Sequence, residues 1–495
     1  MFSLIISLLV LILGYTVYSK ITEKVFSIDN RKTPAVAIND GVDCVPMKTW
    51  KAFLIQLLNI AGTGPIFGAL MGAVFGPVVF LWIVFGSILG GAVHDYMSGM
   101  ISSRHGGASL AELSGDYLGS MPKWIMRIFS VVLLVLCGVV FVTSPAALLA
   151  KLTPGMEGKW WAIIILAYYL LATLLPIDKL IGKLYPIFGV LLMVMALAVI
   201  GGILFSNGKY TIPEINLQNL HPEGTPVWPY MFITVACGAI SGFHATQSPM
   251  MAKCIMNERV GRKVFYGAML TESVIALVWA AAGVAFYGST QLLNEALTSG
   301  ASNVVYDISK GVLGVFGGIL AVIGVIICPI TSGDTAFRSA RLIIGETLHL
   351  NQKKIKNRLI ITIPLLAVGG FITWFSIINA QGFQIIWRYF SWSNQTLAMI
   401  ALWVATAYLI KKGKYQYGPL ITALPATFMS AVTLTYILSA NEGLKLSTDI
   451  SYPIGFAFAV VAFVVFYVVW VLHMLRPYRN IYNKVVFLDK VTQTA

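Results

Sequence analysis

An apolar run from Phe53 to Phe85 is long enough to cross a lipid bilayer. Inside it, Gly62-Thr63-Gly64-Pro65 puts two glycines and a proline into four consecutive positions. A continuous helix does not tolerate that grouping, because glycine adds backbone freedom and proline removes an N–H. Proline does suit the first position of a new helix, where its missing N–H has no partner to lose. The pattern therefore predicts one helix ending near Ala61 and a second starting at Pro65. The amides of Gly62 to Gly64 would then face the protein interior at mid-membrane depth. Irregular backbone persists there only where it lines a cavity or is buried in protein, so this break is a candidate binding site. A glycine patch for close helix packing is the plainer reading.

That the surroundings are a membrane follows from composition. Hydrophobic residues make up 58% of the chain and charged residues 11%, against about 25% charged in soluble domains; mean hydropathy is +0.81. Apolar spans near 2–18, 52–74, 78–100, 125–149, 160–176, 184–206, 229–251, 264–287, 312–334, 359–377, 385–410, 418–439 and 453–473 number thirteen. Met1 to Tyr18 is followed by no small-residue cleavage site and reads as a retained helix. The connections alternate in charge: of 34 basic residues, all but Lys151, Lys159, Lys209, Lys310, Arg388 and Lys445 fall on one side. The positive-inside rule makes that side cytoplasmic, with the N-terminus outside and the C-terminus inside. The net charge of +14 is thus topology, not a nucleic-acid footprint. The five cysteines, Cys44, Cys137, Cys237, Cys254 and Cys328, show no paired spacing and imply neither a disulfide framework nor a metal site. The outer loop 207–228, with Pro213, Pro222 and Pro226, reads as a connector, or as a lid in the sharper reading.

A second break lies in the span 229–251. Gly238, Ser241, Gly242, His244, Thr246, Gln247 and Ser248 are too polar for a lipid-facing helix, and Ser248-Pro249 looks like a cap followed by the first position of a new helix. With the leading helix set aside, the two interrupted spans are the first and sixth of a core. An odd repeat length inverts the second half relative to the first. Paired interruptions of this kind point to an inverted-repeat transporter with its site at the midplane.

These blocks carry a resemblance. They comprise Thr33-Pro34-Ala35 with Asp40-Gly41, then Ile60-Ala61-Gly62-Thr63-Gly64-Pro65, Gly91-Ala92-Val93-His94-Asp95, Ile101-Ser102-Ser103-Arg104 and Gly107-Ala108-Ser109-Leu110. Ser241 to Pro249 and Pro329-Ile330-Thr331-Ser332-Gly333-Asp334-Thr335-Ala336 follow, with a weaker match at Ser393 to Ala398. The chain resembles the carbon starvation protein A (CstA) family, in its short form. The resemblance implies an all-α, LeuT-like 5+5 core in a bacterial inner (plasma) membrane. It also implies uptake of pyruvate or small peptides, commonly with protons. The expected organisation is a leading helix and loop (1–50), a first repeat (51–206), the outer loop (207–228), a second repeat (229–414) and two accessory helices with a tail (415–495).

A small carboxylate at mid-membrane needs donors without large desolvation cost, which half-helix N-termini supply. Gly62, Thr63 and Gly64 fit through backbone N–H and the Thr63 hydroxyl, faced by Ser241, Gly242, His244, Thr246 and Gln247 from the other break. A protonated His244 would pair an anionic substrate directly; a helix-packing hydrogen bond is the plainer role. Asn394 and Gln395 are expected to make interhelical hydrogen bonds or, more sharply, to gate the outer path. Titratable groups within spans are costly and rarely incidental, so Asp95 and Glu272, with His244, are the candidates for proton coupling. Asp334 is expected at the end of its helix, paired with Arg338, and Lys183 to snorkel. By the resemblance, Thr331 and Ser332 with the carbonyls of Asn59, Ile60 or Gly62 would form a Na⁺-like site. Back-bonding of the two hydroxyls to their own helix is the alternative. No cofactor or metal is expected; H⁺ is the coupling ion, with Na⁺ possible. There is no GxxxxGK[ST] for ATP. A membrane enzyme built on His94, Asp95 and His244 lacks ligand spacing, and a channel lacks a visible filter. Lipid and a small carboxylate or peptide are the expected partners. Oligomeric state is not encoded legibly.

Overall fold

The computed structural model describes residues 1–41, 44–174, 177–352, 354–379 and 381–493, with side chains at all of these except 173–174, 177–184, 316, 320 and 475–493. Among them the regular structure is helical. In order, α1 is Phe2–Phe26, α2 Thr49–Ile60, α3 Gly64–Ala73, α4 Val78–Arg104, α5 Leu110–Leu118 and α6 Ser120–Leu152. Then come α7 Gly158–Leu174, α8 Ile177–Leu204, α9 Val227–Thr234, α10 Gly242–Ala252, α11 Glu258–Tyr287 and α12 Thr290–Thr298. The chain ends with α13 Ala301–Thr347, α14 Ile355–Ile378, α15 Gly382–Lys412, α16 Leu420–Ser439 and α17 Thr448–Gln493.

Ten helices among the described residues are long and apolar enough to cross a bilayer, or eleven if the bent pair α2 and α3 counts as one span. The shortfall from thirteen falls in two places. The segment 160–176 forms α7, apolar but only 17 residues long. The segment 229–251 is divided between the 8 residues of α9 and the 11 of α10. Boundaries differ elsewhere too. α1 continues past the expected residue 18 to Phe26, and α13 continues past 334 to Thr347. Asp334 therefore lies inside a helix, not at its end. It is buried, 3.6 Å from Arg338 and 3.4 Å from the Tyr185 hydroxyl. The Lys183 side chain lies outside the described residues.

Two sets of contacts mark the opposite faces. On the face carrying most basic loops, Arg104 binds Glu258 through two bonds of 2.7 Å, the Tyr408 hydroxyl at 2.8 Å and the Ser27 carbonyl at 2.8 Å. Nearby, a hydrogen bond from Arg31 holds the Asp29 carboxyl well below the usual carboxylate range. On the other face, the loop between α8 and α9 runs as a strap. Glu214 accepts from the backbone of Phe2 and Ser3 at the start of α1 (2.9 and 2.8 Å), and the Leu220 N–H bonds the Phe75 carbonyl at the end of α3 (3.1 Å). The expected connector is thus pinned at both ends.

Candidate functional site

α2 stops at Ile60 because Ala61 leaves helical geometry; the Gly62 N–H turns back to the Ile60 carbonyl at 2.9 Å. α3 then sets off at 59° to α2, starting one residue before the expected Pro65. Its first turns are wide π-helical ones, Gly64–Gly68. Gly62, Thr63 and Gly64 are buried. At Gly62 and Gly64 the lack of a side chain is needed: a Cβ at Gly62 would land on the Phe141 ring, and one at Gly64 on Cys237. The Thr63 hydroxyl and Asn59 Oδ1 are buried without a hydrogen-bond partner, so the first break holds unspent polar atoms.

The second break spans Val235 to Ser241, and α10 starts at Gly242 with Ser241 extended before it (φ −147°, ψ 123°). This corrects the expected restart at Pro249, which sits inside α10. A Ser-Pro pair also fits within a helix whose carbonyls find other partners, so it was the weaker signal. The break is held open by α15. Asn394 Oδ1 accepts from the Phe243 N–H at 2.7 Å and the Ser241 hydroxyl at 3.1 Å, and its amide nitrogen donates to the Ala236 carbonyl. One side chain thereby satisfies backbone on both sides of the gap. The Gln395 amide nitrogen lies 3.2–3.4 Å from the carbonyls of Phe232, Val235, Ala236 and Ile240. Both amides hydrogen-bond across to the break itself, an interhelical role.

Between the breaks lies a chain of buried titratable groups drawn from three helices. Asp95 of α4 accepts from His94 Nδ1 at 2.8 Å through Oδ1, and from His244 Nδ1 of α10 at 2.9 Å through Oδ2. His244 Nε2 then stands 3.3 Å from Glu272 Oε2 of α11, close but not aligned as a hydrogen bond. All four side chains are buried. An ionised carboxylate only accepts, and here both oxygens meet an imidazole nitrogen. With Asp95 ionised, each imidazole donates Nδ1–H to it and turns Nε2 away from it. A proton added to the cluster has two places at its far end, His244 Nε2 and the Glu272 carboxylate.

The remaining candidates scatter. Thr246 bonds the Phe243 carbonyl of its own helix at 2.6 Å, and the Gln247 amide reaches Thr246 and Ser339 at 2.9 and 3.4 Å. Thr246 also lines a cavity of about 50 Å³ towards the basic face, with Ser130, Pro249, Lys253 and Glu346, enough for water. Thr331 bonds the carbonyls of Ile327 and Cys328 in its own helix at 3.0 and 2.8 Å. Ser332 reaches the Leu58 carbonyl at 2.9 Å, and the Cys328 thiol faces the Ala61 carbonyl. α13 does meet the first break, but through the carbonyls of Leu58 and Ala61 in place of Ile60 and Gly62.

Comparison with known proteins bears on the family and the fold. The family model for carbon starvation protein CstA matches residues 1–156, 147–290 and 279–436. The chain belongs to the CstA family. An uncharacterised membrane protein of Haemophilus influenzae is 47% identical over 59% of this chain and 93% of that one. The peptide transporter CstA of Campylobacter jejuni is 27% identical over 89% of this chain and 80% of its own length. The pyruvate/proton symporter BtsT of Escherichia coli is 26% identical over 89% and 81%. Among solved structures, a manganese transporter of Eremococcus coleocola superposes with a TM-score of 0.53 at 13% identity, covering 89% of this chain and 99% of that one. MhsT in complex with L-phenylalanine gives 0.52 at 14%, covering 85% and 98%. At such identities the likeness is one of fold, a LeuT-like core.

In this CstA-family chain the sequence reading missed two participants. His94 was weighed only as part of a rival enzyme site and not for proton coupling, yet it holds the second carboxylate oxygen of Asp95. Cys237 was set aside with the other cysteines for lack of spacing. Its sulfur lies within 4.8 Å of the ligand atoms of both His244 and Glu272. Linear spacing carries no trace of such a group, because its members come from α11, α10 and the break before α10.

Proposed function

We propose that this membrane transporter is a secondary carrier importing a small carboxylate of the pyruvate class by proton symport. In this reading thirteen spans comprise a leading helix, a 5+5 inverted repeat and two accessory helices, with the N-terminus outside and the C-terminus in the cytoplasm. The carrying observation is the buried His94–Asp95–His244–Glu272 chain, which links broken α10 to the unbroken α4 and α11. Protonation at its Glu272 end changes the charge beside the second break, where the first turn of α10 offers backbone amides to an anion. A proton bound there favours an anionic guest, and loss of the guest favours release of the proton; that mutual preference is coupling. The names of the Escherichia coli and Campylobacter jejuni relatives fit pyruvate and peptide cargo respectively. Proton coupling is favoured over sodium because Thr331 is bonded within its own helix and a thiol occupies the Ala61 carbonyl.

Purified protein in liposomes, given labelled pyruvate outside under an imposed inward proton gradient, tests this. Accumulation that follows the gradient without Na⁺, is trans-stimulated by internal pyruvate and resists excess dipeptide is the expected result. Uptake that follows Na⁺ and ignores pH would overturn the proton assignment. Competition by dipeptides would move the cargo to peptides, and absence of trans-stimulation would point away from a carrier.

A further inference from the structure

Cys237, His244 and Glu272 offer one sulfur, one nitrogen and one oxygen whose ligand atoms all lie within 4.8 Å of one another. Among the described residues no other three His, Cys, Asp or Glu side chains come together in this way. The His244 Nε2 and both Glu272 oxygens are fully buried without a hydrogen-bond partner. Leaving several polar atoms unsatisfied in a dry interior is costly, so they call for an occupant. Protons on one side only partly answer that call, since the 3.3 Å His244–Glu272 separation is not aligned for sharing one.

The geometry points to a binding site for a borderline divalent transition metal of the Zn²⁺ class at Cys237, His244 and Glu272, whose occupancy arrests transport. Three features carry it. First, 3.3 Å is about the edge of a tetrahedron with metal–ligand bonds of about 2.0–2.1 Å. Second, mixed S, N and O donors select such ions over Mg²⁺ or Ca²⁺, which take oxygen alone. Third, His244 gives its Nδ1–H to Asp95 at 2.9 Å, the carboxylate–histidine arrangement that fixes a ring with Nε2 aimed at a metal. On binding, the Cys237 thiol yields its proton to solvent as the sulfur–metal bond forms, and a fourth position stays open. Because the ligands come from the second break and from α11, a bound ion clamps the break to an unbroken helix. It also covers the Glu272 end of the proton chain.

Co²⁺ is the direct probe, since a thiolate ligand adds a sulfur-to-metal charge-transfer band to its spectrum. Detergent-purified protein is expected to take up one Co²⁺ per chain with that band, to release it to Zn²⁺, and to lose it in Cys237→Ser and Cys237→Ala. Loss of a direct ligand should weaken binding by more than the roughly 10–100-fold expected for an outer partner such as Asp95. In liposomes, the Zn²⁺ concentration that halves uptake should be at least about tenfold higher for Cys237→Ser than for the parent chain, each measured against its own Zn²⁺-free rate. Absence of the band in folded parent protein, or a band unchanged in both Cys237 variants, would overturn the proposal. The two readings fail separately. A Co²⁺ band with pH-insensitive uptake removes proton coupling and leaves the metal site. Proton-driven uptake indifferent to Zn²⁺, with no band, removes the metal site and leaves the coupling.

Discussion

Asp95 carries two imidazoles on one carboxylate, and no other side chain in the cluster has both its polar atoms so fully used. Asp95→Asn offers an oxygen to one ring and an N–H to the other, so one imidazole must change tautomer and the negative charge is gone. The expected outcome is loss of gradient-driven accumulation with exchange of labelled for unlabelled substrate preserved. Counterflow against accumulation in the same liposome preparation measures the split. Equal loss of both would make Asp95 a structural strut, and unchanged accumulation would remove it from coupling. Asp95 and Glu272 were legible in the sequence because a carboxylate in an apolar span has few structural excuses. Cys237 was not, because a thiol in an apolar span is indistinguishable from a small hydrophobe. His244 stood out only as part of a run of polar residues, and its pairing with Asp95 required α10 to lie against α4.

Asn394 decides how the second break is kept. A helix interrupted at mid-membrane leaves carbonyls at the end of α9 and amides at the start of α10 with no water to meet them. Asn394 serves both, and Gln395 covers further carbonyls of the same end. Asn394→Asp keeps the acceptors for Phe243 and Ser241 but sets a carboxylate oxygen against the Ala236 carbonyl. A loss of about 1–3 kcal/mol, the usual toll of a buried group left without its partner, is expected, read as a lower thermal unfolding midpoint in detergent. An unchanged midpoint would mean that the break holds without this brace. The first break could be read from its glycine-proline cluster and the second from its run of polar residues, whereas the restart of α10 could not. Ser248-Pro249 resembles a helix start locally, but the true start is Gly242, where a Cβ would strike the Asn394 carbonyl and Leu397. That constraint is tertiary, set by how close α15 passes.

At the scale of the whole molecule, a carrier must move its first and sixth core helices while something holds the far face together. The strap between α8 and α9 touches both the start of α1 and the end of α3, so it ties the leading helix to the second half of the first broken span. Its anchor on α3 includes His221, whose ring packs 4.7 Å from that of Phe75 and accepts from the Glu223 N–H at 3.2 Å through Nδ1. Burial lowers the His221 pKa below its ordinary value, with the Glu223 charge opposing weakly. A lowered folded value means that the released strap binds a proton more readily than the seated one. The anchor's contribution is therefore complete above the ordinary histidine value of about 6.5 and is lost as pH falls through the folded value. The Glu214 carboxylate of the other anchor does not titrate in that window, because hydrogen bonds from the N-terminal ammonium and Ser3 hold it at about 2. Hydrogen exchange across residues 216–224 should accelerate between about pH 7.5 and about pH 5.5, after correction for intrinsic rates. His221→Phe keeps a ring against Phe75 without a titrating nitrogen, and should hold exchange constant over the same interval. If the acceleration survived in His221→Phe, the strap's acid response would have to come from another group. If parent and variant were both unchanged, the strap would be fixed throughout, and opening of the first break towards this face would have to carry the strap along with α3.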